Sequence, residues 1–78
     1  MLTIEEFLNT PMGIKYKESV KAYTEAKRKY CDLTEYDSKI YLEFKRCMEK
    51  EMQLRTKYLK TYPEFNGLWI KILDQSSE

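Results

Sequence analysis

From Tyr16 to Tyr58 the chain keeps one seven-residue rhythm, and neither glycine nor proline interrupts it. Tyr16, Tyr23, Tyr30, Asp37, Phe44, Glu51 and Tyr58 hold one position of the repeat. Ser19, Ala26, Leu33, Ile40, Cys47 and Leu54 hold the second. Such spacing lines up one side of an α-helix and is the pattern that packs helix against helix. With only two Gly and two Pro in 78 residues, the chain also lacks the turns that an all-β fold requires. The expected class is all-α, one small domain over residues 1–78.

Two arrangements satisfy the repeat. One is a single helix of about 50 residues paired in a long-helix coiled-coil dimer. The other is an antiparallel helical hairpin with short flanking N- and C-terminal helices. Charge separates them. In a parallel dimer Asp37 meets Asp37 and Glu51 meets Glu51 along the seam, an unfavourable placement for like charges. Folding back near Leu33-Thr34 sets Tyr23 opposite Phe44. It also brings Tyr16 to Glu51 and Tyr30 to Asp37, where each phenol can donate to a carboxylate. The hairpin is favoured, with helices expected over about 3–9, 11–31, 35–62 and 64–74. Thr34, with Asp37 three residues on, supplies a start for the third helix. An antiparallel dimer of straightened helices makes the same contacts between chains, so a homodimer stays open.

The flanking segments carry their own signals. Thr3 and Glu6 fit a capping box, with Leu2 and Phe7 placed for a hydrophobic staple. Thr10-Pro11 ends the first helix and opens the second. Residues 64–74 read as an amphipathic helix, with a strand over Leu68 to Leu73 as the alternative, and Gln75 to Glu78 as a loose tail. The apolar sector of the third helix spans roughly 160° of the wheel, more than one partner helix covers. The terminal segments are the expected cover, with Trp69 as a lid.

The available chemistry is narrow. There is no histidine, which removes the commonest general base and metal ligand. Cys31 and Cys47 fall roughly 16 Å apart along the hairpin, out of disulfide range, and read as buried small hydrophobes. No catalytic residue, metal or cofactor is expected, so the chain does not read as an enzyme. No apolar run reaches the roughly 18 residues of a membrane span. The N-terminus is acidic where a signal peptide is basic. The expected location is the reducing cytoplasm.

What remains is binding. The outward Leu42, with Arg46 one turn on, is one candidate contact. Glu51 and Arg55, also one turn apart, are a second; their alternative reading is an intrahelical ion pair capped by Tyr16. The tyrosines read as core-edge packing or as interface residues. Residues 12–30 carry six basic and two acidic side chains, residues 36–62 seven and four. The run Lys27-Arg28-Lys29 offers possible phosphate contacts, against the reading of a solvated helix face. The expected function is a small non-catalytic protein-binding module, an adaptor or inhibitor acting through helical surfaces. The alternative is a nucleic-acid-associated helical protein using the basic hairpin.

Overall fold

The computed structural model describes residues 3–76. Among these are four helices and no strand: α1 (Ile4–Leu8), α2 (Pro11–Cys31), α3 (Ser38–Thr61) and α4 (Phe65–Ser76). The starts of α1 and α2 follow the sequence signals. The Glu6 amide donates to Thr3 Oγ1 at 3.2 Å and the Thr3 amide to Glu6 Oε1 at 3.4 Å, completing the capping box. Thr10 Oγ1 accepts from the Gly13 amide at 3.0 Å and donates to the Phe7 carbonyl at 2.6 Å. One hydroxyl thereby caps α2 and ties α1 to it. The staple expected between Leu2 and Phe7 lies outside the described residues.

Helices α2 and α3 pack as an antiparallel hairpin, which replaces the continuous rod. Tyr23 stacks on Phe44 with ring centres 5.9 Å apart, and Tyr16 Oη donates to Glu51 Oε2 at 2.8 Å. The third expected pair does not form. The Asp37 carboxylate accepts instead from the Lys39 and Ile40 amides at 2.9 and 3.2 Å. Asp37 is therefore the cap of α3, which starts at Ser38 and not near Glu35. A carboxylate is worth more on two free helix N–H groups than on a solvated phenol. Tyr36 consequently drops out of the helix and is 70% exposed in the loop.

Residues 68–73 are helical, and the helix continues through Gln75 and Ser76, which the sequence reads as tail. At 1.5 Å per residue α4 is about 18 Å long and α3 about 36 Å. A helix of that length does not reach the loop end of the hairpin. The core accordingly sits at its open end, where Phe7, Tyr16, Val20, Leu54, Tyr58, Phe65, Leu68 and Ile72 form one buried cluster. Phe65 meets Tyr16 and Tyr58 edge-on, with centres 4.9 and 5.6 Å apart. The last turn of α4 ends beside Thr24 and Arg28. Between Glu25 on α2 and Lys50 on α3, Ala26 is the one buried residue among those described. The molecule measures 46 × 23 × 17 Å, a packed end and a bare two-helix end.

That uneven cover corrects two further expectations. Cys31, at the bare end, is exposed and not buried, while Cys47 is half-buried. Met52 lies in the apolar sector of α3 but is 46% exposed, since the flanking helices do not reach around to it.

Candidate functional site

Five aromatic rings climb the bare end of the hairpin. Tyr23 stacks on Phe44, and Phe44 stacks on Tyr30 at 5.2 Å and 8°. Tyr30 touches Tyr41 at 5.6 Å, and Tyr41 touches Tyr36 at 5.9 Å. Their positions follow from the heptad: Tyr23 and Tyr30 are two turns apart on α2, Tyr41 and Phe44 one turn apart on α3. At the packed end α4 lies over the same seam. Here Tyr23, Tyr30, Tyr41 and Phe44 are half-buried and Tyr36 is exposed. The hydroxyls of Tyr23, Tyr30, Tyr36 and Tyr41 make no hydrogen bond to any described residue. The face thus offers flat apolar area edged by free donors.

A lysine follows the row by one turn on each helix. Lys27 follows Tyr23 by one turn, and its ammonium is 6.0 Å from the centre of the Tyr23 ring. Lys45 follows Tyr41 by one turn on α3 and is exposed. Neither is ion-paired to a described residue.

The candidates singled out from sequence are spread over the molecule. Leu42 is 57% exposed, and Arg46 is 3.8 Å from Glu43. Successive residues of Lys27-Arg28-Lys29 diverge by 100° on the helix. Lys27 covers Tyr23, Arg28 lines a hollow beside α4, and Lys29 pairs with Glu25 at 3.8 Å. They form no single phosphate clamp.

Glu51 and Arg55 are drawn into the protein. Glu51 is 3% exposed; its Oε2 accepts from Tyr16 and lies 3.6 Å from Arg55 Nε. The Arg55 guanidinium carbon is 4.3 Å from the centre of the Trp69 ring, so Trp69 closes the network as a lid. Glu51 as a partner contact is thereby corrected: both its neighbours are internal, and its carboxylate does not reach the surface. The Trp69 indole N–H is buried and has no acceptor among the described residues.

This network gives the fold a pH limit. Burial, and then the hydrogen bond to Glu51, push the Tyr16 phenol far above its ordinary value, and burial raises Tyr58 in the same direction. Unfolded tyrosine titrates near pH ~10. Below that pH both states hold the proton and stability is complete. Above it the unfolded chain releases protons that the folded chain retains, so stability falls as pH rises. The urea midpoint is expected to drop between pH 9 and 11, less steeply in Tyr16→Phe. Equal slopes would remove Tyr16 as the cause.

The rest of the surface gathers no reacting groups. A groove of about 850 Å³ separates α1 from α4 near Thr3, Glu5, Asn66 and Lys71, open to solvent along its length. No group of three or more acidic or cysteine side chains is assembled for a metal among the described residues. No helix is long and apolar enough to cross a membrane. Comparison with known proteins returns no match: no family model, no curated protein and no solved structure aligns with the chain.

Proposed function

We propose that this protein is a non-catalytic binding module, an adaptor or inhibitor, that seats a partner protein on the bare end of its hairpin. The observation that carries this reading is the row Tyr23–Phe44–Tyr30–Tyr41–Tyr36, half-buried to exposed along the loop end of the hairpin. Aromatic residues on a rigid scaffold dominate binding energy because they bury large area at little entropic cost. A hairpin held shut at one end supplies the rigidity. The exposed Cys31 suits a reducing cytoplasm.

The double change Tyr30→Ser and Tyr41→Ser tests the site. Both residues lie outside the core cluster, so the helical spectrum is expected to persist. Capture of the partner from native-host extract is expected to fall at least about 30-fold, the equivalent of one aromatic anchor worth ~2 kcal/mol. Leu42→Glu is expected to leave capture unchanged. Capture that survives the double change but fails with Leu42→Glu or an Arg46 variant would move the site to the outer face of α3.

A nucleic-acid-associated role using Lys27, Arg28 and Lys29 is the alternative. It predicts binding that weakens steeply with salt, whereas docking on the aromatic row depends on it weakly.

A further inference from the structure

We infer that the flank of α2 carries a second binding site, one that takes a small ligand bearing two or more linked phosphoryl groups. The site lies where α2 meets the last turn of α4, and it stands independently of the aromatic row. Two observations carry it: three cations line one hollow without a partner, and neutral hydrogen-bond donors stand beside them.

Lys17, Lys21, Thr24 and Arg28 follow one another at steps of four, three and four residues, so they share one stripe of α2. That stripe borders a hollow of about 580 Å³, which Leu8, Ile72, Gln75 and Ser76 complete from α1 and α4. The volume is in the range of small-molecule sites. The run Lys27-Arg28-Lys29 splits around the helix, and Arg28 acts here with Lys17 and Lys21 in place of its chain neighbours.

The positive charge of the hollow is unspent. Lys17, Lys21 and Arg28 are exposed, and none of them forms an ion pair or a hydrogen bond with a described residue, the carbonyls of α4 included. Glu25, the carboxylate on the lining, lies 3.8 Å from Lys29. Asp32 follows Arg28 by one turn without pairing with it. Asp74 is about 200° round α4 from Ile72 and so faces away. The Thr24 and Ser76 hydroxyls and the Gln75 amide add neutral donors. A phosphoryl group, with three acceptor oxygens and high charge, uses such a set more fully than a carboxylate does. Lys17 and Arg28 are about 16 Å apart along the helix. A chain of linked phosphoryl groups engages more of that length than a single phosphate.

Inorganic tripolyphosphate, inorganic phosphate and citrate test this, with titration calorimetry and amide chemical shifts of the whole labelled protein read together. Tripolyphosphate is expected to bind saturably and at least about tenfold tighter than phosphate, shifting Lys17, Lys21, Thr24, Arg28 and Gln75. The variant Lys17→Gln with Lys21→Gln is expected to weaken it at least about tenfold. Lys57→Gln with Lys60→Gln removes the same charge from the outer face of α3 and is expected to change affinity less than about twofold. All four lysines are exposed, and circular dichroism checks that helix is retained. Equal loss in the two variants overturns the site in favour of diffuse charge. Citrate binding as tightly at the same residues overturns the phosphoryl assignment, and the absence of a saturable shift overturns the site itself. ATP separates the sources: tighter binding with an added shift at the half-buried Leu8 identifies an organic triphosphate, and affinity equal to that of tripolyphosphate identifies the phosphate chain alone. Either result upholds the site.

Discussion

Gly13→Ala is expected to destabilise the protein by about 3 kcal/mol, the upper part of the range for overpacking. Within α2 the substitution favours helix by about 1 kcal/mol. Space opposes it. A Cβ at Gly13 would lie 1.9 Å from the Phe7 carbonyl oxygen, 2.6 Å from its carbon and 2.8 Å from Leu8 Cα. All three are backbone atoms, so no rotamer change relieves the overlap and α1 must move as a unit. Moving it withdraws Phe7 from Phe65, where the rings are 5.4 Å apart, and breaks the two bonds from Thr10 to the Phe7 carbonyl. In a domain of this size the melting temperature is expected to fall by more than about 10 °C. Gly67→Ala provides the contrast, because its Cβ would meet nothing within 4 Å. There the helical preference acts alone, and a gain of about 0.5 kcal/mol is expected. If Gly13→Ala melts with the wild type, α1 does not rest on α2 in this way.

Glu51→Ala is expected to cost about 3–5 kcal/mol in urea unfolding. Its carboxylate is the acceptor for a phenol with no exposed surface and the counter-charge of Arg55. Truncation leaves the buried Tyr16 hydroxyl without its acceptor and the partly buried Arg55 guanidinium without its counter-charge. Glu51→Gln keeps an acceptor for Tyr16 and is expected to cost about 1 kcal/mol. Tyr16→Phe removes the donor and is expected to cost about 1–3 kcal/mol. Combining Tyr16→Phe with Glu51→Leu removes both halves of the bond. The double variant is therefore expected to be more stable than the sum of its singles predicts, a coupling of at least about 1 kcal/mol. Strict additivity would mean that Tyr16 and Glu51 do not interact in solution.

The network also shows how far sequence reasoning reaches. That Tyr16 meets Glu51 and Tyr23 meets Phe44 is legible, because in an antiparallel hairpin the heptad and the fold-back point set which positions face each other. The same rule failed at Tyr30 and Asp37, the pair nearest the turn. There a local competitor, two free backbone amides within three residues of Asp37, outweighs a cross-helix bond. Cys31 departs from its expected burial for a related reason: it occupies an inward helical position, and the wheel does not reveal what packs over the end of α2. The role of Gly13 gives little sequence signal. Its φ is not positive, and only the packing of α1 against it makes a side chain impossible.

For the candidate site the division is sharper. The seven-residue recurrence of tyrosine was plain, yet periodicity alone equates a core edge with an open face. Telling them apart needs the length of α4 against the length of the hairpin and the place where α4 ends. Leu42 and Arg46 stood out because they break the wheel, and Glu51 and Arg55 because they interrupt an apolar stripe. The first pair stayed on the surface and the second became interior.

By itself, the sequence determined the helical class, the caps of α1 and α2, the antiparallel register and the heptad seam of the hairpin. These are local or periodic properties, encoded by residue type and spacing within a few turns. Only the tertiary structure decided how far that seam is covered and which charged residues are buried. Those outcomes depend on where two short helices come to rest on a longer hairpin, and no window of sequence contains both surfaces at once.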